Sequence, residues 1–350
     1  MIAPDDTSIY DFLDVKEPGF DNTHWQKYHE LLSELNRRYH SPFSQTPTAE
    51  LKQRNLTYLE SMRDYHRFVI ARSGQFIGWV DFQVRNAGTS EQAARFHYDA
   101  LCDEPPSTMV VQLGSKIERL LSQYGCNSAY FSAVDRRGTL LARAWSAREL
   151  SRISRYQLAR DRAKLETIET WLAELPMRNP ELGLRVFRAM PEEYLTRFAE
   201  LLDQFMNDMP KERDAEKPFH VDADELRRRW LWREKNNVRV YTAVLLDCQD
   251  RPVAFSYCSV SLHDPSDAHQ AMTGVERSYR GRGLSKWLKA VLFREVGKDF
   301  PENRTMTTEM RAVNEPIQRV NRQMGYMLLS EGAEFEITLD GLARTLTESQ

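Results

Sequence analysis

Between Thr273 and Lys289 the chain reads Thr-Gly-Val-Glu-Arg-Ser-Tyr-Arg-Gly-Arg-Gly-Leu-Ser-Lys-Trp-Leu-Lys, a basic turn with two glycines between an extended run and a helical one. Gly281 and Gly283 let the backbone fold tightly and approach a ligand closely. A helix that starts at Leu284 leaves the amide N–H groups of its first turn, Ser285 among them, without partners, and its dipole favours an anion there. Arg280 and Arg282 add charge, and a guanidinium fork suits phosphate oxygens. The chemistry such a strand–turn–helix can do is to cradle a pyrophosphate. Two nucleotide signatures do not fit: no Gly-Lys-Ser/Thr follows, and Lys286 stands at the third glycine of Gly-x-Gly-x-x-Gly. Alone, a Gly-x-Gly turn specifies no ligand.

The elements that must position this turn follow from periodicity. Ala268 to Val275 reads as a strand and Leu284 to about Val296 as a helix. Ahead of them, Val238 to Leu246 and Val253 to Leu262 form a hairpin, Leu184 to Ala189 a strand, and Glu192 to Met206 a helix. Asp222 to Glu234 is a helix that opens on a capping-box pattern, Asp222-x-x-Glu225. The first half has a helical stretch from His24 to Tyr39 and a helix start at Thr46-Pro47. Strands Arg67 to Ala71 and Phe76 to Val84 follow, with Ser73-Gly74 as their turn, then a strand Phe96 to Cys102, a helix Met109 to Tyr124 and a strand Ala129 to Val134. The arginine-rich run Leu140 to Arg162 is expected to hold a further helix before a linking strand. Arg67-Phe-Val-Ile-Ala and Gly74-Gln-Phe-Ile-Gly-Trp compare with Arg239-Val-Tyr-Thr-Ala and Asp250-Arg-Pro-Val-Ala-Phe, a weak internal repeat at about 175 residues. Two related α/β domains are therefore expected, joined by a linker over 163–182 that ends at Pro176 and Pro180.

Composition sets outer bounds. The chain has 350 residues, enough for two domains, and a formal net charge of -3, so no global charge argues for nucleic acid or a membrane surface. Hydrophobic residues make up 41%, enough for packed cores, and no run approaches the ~18 apolar residues of a membrane span. Cys102, Cys126, Cys248 and Cys258 are scattered without metal-ligand spacing and read as buried thiols in a reducing compartment. With an N-terminus that lacks a signal-peptide pattern, they point to the cytoplasm. No His/Glu pair has metal-ligand spacing, so no metal is expected.

Val275 through Ser285 resembles the acyl-CoA pyrophosphate loop of the GNAT superfamily of N-acyltransferases, Val-x-Pro-x-Tyr-Arg-Gly-x-Gly-Leu-Gly/Ala, and departs from it at Arg277, where proline is common. Downstream, Asn314-Glu-Pro-Ile-Gln-Arg-Val-Asn321-Arg-Gln-Met-Gly325-Tyr326 resembles the second helix motif of that superfamily. The whole chain resembles tandem-GNAT proteins of the mycothiol-synthase-like type, with Gln270-Ala-Met-Thr273-Gly-Val in a form common there and Met310 where asparagine is usual. The resemblance implies two GNAT-like domains, each a mixed, mostly antiparallel sheet flanked by helices. Residues 1–162 would form a degenerate, non-catalytic domain, because Asp103-Glu-Pro-Pro-Ser-Thr is acidic and lacks the Gly-x-Gly. Residues 183–350 would form the catalytic, acyl-CoA-binding one. It further implies that Thr273, Val275, Arg280, Gly281, Arg282, Gly283, Leu284, Ser285 and Asn314 contact acetyl-CoA or a longer acyl-CoA as cosubstrate. A helix cap is an equally available role for Asn314, given Pro316 close behind.

Acyl transfer from a thioester to an amine needs a neutral amine and hydrogen-bond donors for the tetrahedral oxyanion. The resemblance draws those donors from the backbone around Thr273 to Val275. For the base, Asp267 and His269 lie on the strand before the turn and Glu276 just after it; histidine titrates near neutrality. His269 also reads as a loop histidine, and Glu276 as a solvated turn carboxylate. The superfamily's usual general acid is a tyrosine four residues before the second motif's glycine, where this chain carries Asn321.

The expected activity is thus transfer of an acyl group from acyl-CoA, or from a carrier-protein thioester, to a small-molecule amine held in a cleft that Tyr257 or Glu309 could line. Two other readings stay open: a CoA-sensing or assembly protein without turnover, and a transfer-RNA-dependent aminoacyltransferase. For the last, Arg143, Arg148, Arg152, Arg155, Arg160 and Arg162, and the run Arg227 to Arg233, would meet phosphates; a solvated face or salt bridges is the simpler reading of both. Exposed helices of the first half could form a dimer surface, though no motif specifies one.

Overall fold

The computed structural model describes residues 9–40, 64–85, 93–133, 135–208, 221–235 and 237–348. The expected helix start at Thr46-Pro47 lies outside them. The chain divides into two compact units, Met1–Ile153 with Ser330–Gln350, and Ser154–Leu329.

In the first unit, β1 (Tyr10–Asp14), β2 (Tyr65–Arg72), β3 (Gln75–Arg85) and β4 (Ala93–Ala100) pair antiparallel in sequence order. Ser73 and Gly74, with φ of 49° and 76°, make the two-residue turn between β2 and β3, whose left-handed backbone matches the twist of a hairpin. Helix α1 (Asn22–Leu35) turns Trp25, Tyr28, Leu31 and Leu35 inward at helical spacing, and a short π-helical turn carries the chain on to His40. After β4 the chain crosses through α2 (Ser107–Gln123) to β5 (Ser128–Ala133), which runs parallel to β4. Helix α3 (Arg136–Ala144) follows, its first turn capped by the Asp135 carboxylate.

The second unit repeats the plan. Strands β7 (Gly183–Phe187), β8 (Val238–Leu246), β9 (Pro252–Ser261) and β10 (Asp264–Val275) pair antiparallel in order. Helices α5 (Glu192–Asp208) and α6 (Ala223–Lys235) lie between β7 and β8 in the chain. Helix α7 (Leu284–Asp299) carries it from β10 to the parallel strand β11 (Thr305–Arg311), and α8 (Glu315–Met324) follows. Helix α7 is buried on nearly every side, through Leu284, Trp287, Leu288, Val291, Leu292 and Val296, so its apolar residues do not confine themselves to one stripe.

Three expectations change. Residues 163–182 are not a linker: α4 (Leu165–Arg178) packs Ile168, Trp171 and Leu175 into the core of the second unit. Pro176 is accommodated in the last turn of that helix rather than marking a break. The boundary at residue 183 also shifts, because β6 (Arg148–Ala159) enters the second unit at Ser154. Third, the chain's end does not stay with the second unit. In β12 (Met327–Thr338), Ala333 to Thr338 pair antiparallel with Ala133 to Ser128 of β5, and α9 (Leu339–Glu348) buries Leu342 and Leu346 in the first unit's core. The arginine-rich stretch 140–162 holds the end of α3 and then β6, the expected helix followed by a linking strand. Among the cysteines, Cys126 and Cys258 are buried and Cys102 partly so, but Cys248 is exposed; all four are free thiols.

Candidate functional site

Strand β10 changes partners along its length. Its parallel register with β11 covers Asp267↔Thr305, Ala268↔Met306 and His269↔Thr307 and goes no further, while pairing with β9 continues to Val275↔Ala254. A register shift between Gln270 and Met272 marks a bulge where the two strands separate. Successive residues of a strand send their N–H groups to opposite edges. Glu276 donates its N–H to the Val253 carbonyl of β9 at 2.8 Å. Val275 and Thr273 therefore turn theirs to the other edge, the one that β11 has left.

The turn beyond is built as the sequence predicts. Gly281 and Gly283 both have φ of 81°, where a side chain is strained, and Gly283 caps α7 without a side-chain hydrogen bond. A Cβ on Gly283 would also lie 2.8 Å from Leu175 of α4. The N–H groups of Gly281, Arg282, Gly283, Leu284 and Ser285 have no acceptor among the described residues. Five successive free donors at a helix N-terminus form an anion cradle. The arginines are not aimed freely at it. Arg280 gives Nη2 to Asp208 (2.9 Å) and Nε to the Val275 carbonyl (3.1 Å), Arg277 also reaches Asp208 (2.6 Å), and Arg282 is held by Asn179 (2.9 Å) and Glu181. Beside the turn lies a cleft of about 640 Å³, lined by Leu201, Phe205 and Asp208 of α5 and by Val275, Arg277, Ser278 and Arg280.

The candidate bases separate in space. Glu276 is committed to Arg251 (2.9 Å) and accepts from Ser278 (2.8 Å) at the end of β10. Asp267 and His269 share one face of the sheet with their register partners Thr305 and Thr307 and with Glu309 two residues on. Asp267 accepts from both threonine hydroxyls, yet burial pushes its carboxyl up to about 6. His269 is exposed at this face. Although the residue keeps solvent contact, the groups crowded around its ring partly desolvate it and lower its pKa below 6.5; Glu309 opposes that shift, and the charges of Arg155 and Arg233 add to it. Tyr257 lies partly covered by Arg233, whose guanidinium carbon is 5.9 Å from its ring centre.

The second motif is partly withdrawn from solvent. Asn321 has 0% exposure, gives its amide to Met310 Sδ (3.8 Å), and its Oδ1 has no partner among the described residues. Asn314 occupies the N-cap of α8, but its side chain makes no cap hydrogen bond and stays half-buried, with no hydrogen-bond partner among the described residues. Tyr326 is packed and donates to Gln270.

A buried network behind β10 was not foreseen. Lys289 on α7, 2% exposed, donates to Gln270 Oε1; Gln270 Nε2 donates to Ser256 Oγ (3.0 Å), which lies 2.8 Å from Thr273 Oγ1. Its only sequence signal is a lysine inside the apolar run Trp287 to Phe293. The arginine-rich stretches are largely engaged within their own unit: Arg148 with Glu336, Arg152 with Glu149, Arg160 with Asn303 and the Phe293 carbonyl, and Arg227 with Glu192 and Asp224.

In the first unit the corresponding place, after β4 separates from β5, holds a guanidinium. Arg137 bridges Asp99 (2.8 Å), Asp135 and the Ala100 carbonyl, and Tyr39 stacks on it at 3.7 Å. The turn into α2 starts at Pro106 and has no glycine.

No protein-family model and no curated protein matches the sequence. Solved structures do match the fold. A tandem GNAT protein from the clavulanic acid biosynthesis pathway, solved without acetyl-CoA, superposes with a TM-score of 0.73 at 16% identity, over 95% of this chain and 99% of its own. A GCN5-related N-acetyltransferase from Sphaerobacter thermophilus gives 0.61 at 11% identity, over 96% of both chains. The chain has the tandem GNAT fold. Among the described residues no helix is long and apolar enough to cross a membrane, and no cluster of His, Cys, Asp or Glu could hold a metal ion.

Proposed function

We propose that this chain of tandem GNAT fold is an acyl-CoA-dependent N-acyltransferase whose working site lies in the second unit. The observation that carries the reading is the row of five unpartnered N–H groups from Gly281 to Ser285, next to a strand whose Thr273 and Val275 amides face the edge that β11 has left. The cradle would take the CoA pyrophosphate. Asn314, with its amide unengaged among the described residues, would meet the pantetheine arm. One backbone N–H, from Thr273 or Val275, would hold the thioester oxygen as it becomes an oxyanion.

In the proposed reaction the amine nitrogen bonds to the thioester carbon, His269 takes the amine proton through intervening water, the C–S bond breaks, and CoA leaves as a thiolate that water protonates. His269 fits the base role because its lowered pKa keeps it neutral at pH 7. Acetyl-CoA is the default donor, with a longer acyl-CoA or a carrier-protein thioester as variants, and the acceptor is a small-molecule amine. The protein is proposed to work in the cytoplasm.

Calorimetry with acetyl-CoA is the test. One site per chain, lost in a folded Gly281→Glu variant, is the expected result, since the first unit's counterpart is occupied by Arg137. Absence of binding would overturn the proposal, and two sites per chain would overturn the division of labour between the units. A second reading, CoA sensing without turnover, is favoured by the full burial of Asn321 at the position of the usual acid. It predicts binding with no thiol release from acetyl-CoA in the presence of any amine.

A further inference from the structure

Among the described residues the Arg155 side chain makes no hydrogen bond. The residue lies on β6, next to β11, and only 22% of its side chain is exposed, yet its guanidinium donates to no described residue. Its nearest carboxylate, Glu309, is 3.6 Å from Nε, an ion-pair contact and not a hydrogen bond. Two residues along β6, and so on the same face, Gln157 has a buried Nε2 that is also unpartnered. Buried donors are almost always satisfied, so two neighbouring exceptions need an explanation. Both are donors, one carries a fixed positive charge, and both flank the face that bears His269 and Glu309.

Resting on the acyltransferase reading, we propose that Arg155 and Gln157 form the acceptor's anchoring subsite, and that the acceptor is a primary amine that also carries a carboxylate. The guanidinium fork binds the carboxylate in pairs, and the Gln157 amide donates to a remaining lone pair. Glu309, 41% exposed, lies across from Arg155 and attracts the ammonium end toward His269. The two poles of the acceptor thus meet groups of opposite sign on adjacent strands. The CoA pyrophosphate is not the anion for this subsite: from His269 to Val275 a strand rises ~20 Å, which puts the cradle at its far end.

The experiment compares amines that differ by one carboxylate: β-alanine with ethylamine, ornithine with putrescine, and lysine with cadaverine. Thiol release from acetyl-CoA is followed in wild type, Arg155→Met, Arg155→Lys and Gln157→Leu, and acetyl-CoA binding is measured in each by calorimetry. Expected is a kcat/KM roughly tenfold to a hundredfold higher for the carboxylate-bearing member of at least one pair. Arg155→Met should lose that preference, mainly through KM, with acetyl-CoA affinity unchanged and partial recovery in Arg155→Lys. Gln157→Leu should weaken it less, as a neutral donor does. Equal rates within every pair, or a preference that survives Arg155→Met, would overturn the subsite while leaving the acyltransferase reading in place. Wild type that binds no acetyl-CoA would overturn both.

Discussion

Lys289 Nζ lies 2.5 Å from Gln270 Oε1, and no carboxylate lies against it among the described residues. A cation so placed has only a neutral amide and the Tyr326 ring, 5.3 Å away, for company. Burial pushes its pKa from 10.5 down to about 7, with the Cys258 thiol a small opposing influence. A depressed pKa means that the unfolded chain binds the proton more tightly, so stability is gained as pH rises from about 7 toward 10.5 and is lost as pH falls through 7. Methionine matches the lysine stem, and Gln270 Oε1 keeps the Tyr326 hydroxyl as donor. Lys289→Met should therefore be at least as stable as wild type at pH 7, by roughly 1–3 kcal/mol. Urea unfolding from pH 7 to 10 should show the gap closing by at most about 1.4 kcal/mol per unit. A variant that is less stable at pH 7 would mean that the charged network holds the core together.

Asp267 has the opposite sign. Its carboxyl is raised to about 6 by burial, although Thr305 and Thr307 both donate to it. A raised folded pKa contributes stability that is full below 3.8 and gone once the pH passes about 6. At pH 7 the ionised group is therefore a net cost. Asp267→Asn should raise the urea midpoint at pH 7 by an amount worth about 1–3 kcal/mol and be neutral or worse at pH 4. Equal effects at both pH values would remove burial as the cause.

The cradle was legible because its requirements are local. Two glycines at positive φ, a strand before and a helix after are all short-range properties of Val275 to Ser285. What the arginines of that turn do was not legible, because Asp208 and Glu181 reach them from about 70 and 100 residues away and no local pattern announces an ion pair. The same holds for the chain's end. The expected domain 183–350 included Ala333 to Thr338, but their register with β5 is a long-range choice that no local pattern announces. Arg155 was read with its arginine neighbours as part of a charged helix or face. Its placement on a strand, beside Gln157, depends on the pairing of β6.

Gly283 tests whether the cradle is a matter of backbone shape. An alanine there adds a Cβ 2.8 Å from Leu175 and forces a side chain into φ of 81°. Backbone strain of about 1–2 kcal/mol and a shift of α4 or of the turn are expected together. Gly281→Ala meets open space, so it bears the strain without the contact. Both variants should bind acetyl-CoA more weakly, and Gly283→Ala should also lower the melting temperature by the larger amount. If Gly283→Ala binds acetyl-CoA as wild type does, the free N–H row is not where the cosubstrate sits.

His269 sets the expected pH dependence of turnover. Desolvation lowers its pKa, Glu309 works against that shift, and Arg155 and Arg233 reinforce it, so the neutral base form prevails above pH 6.5. The rate at low amine concentration should then fall on the acid side below pH 6.5, as the imidazole takes up a proton. Asp267, raised to about 6, titrates in the same range two residues away, so the profile of wild type alone does not assign the limb. Asp267→Asn should keep it, and His269→Gln should abolish it while lowering kcat by roughly a hundredfold to a thousandfold. Removal of Glu309, which holds the proton on His269, should move the limb to lower pH, and Arg155→Met should move it to higher pH. A limb that stays in His269→Gln and disappears in Asp267→Asn would transfer the base role to the carboxylate, whose threonine hydrogen bonds would then tune its proton affinity.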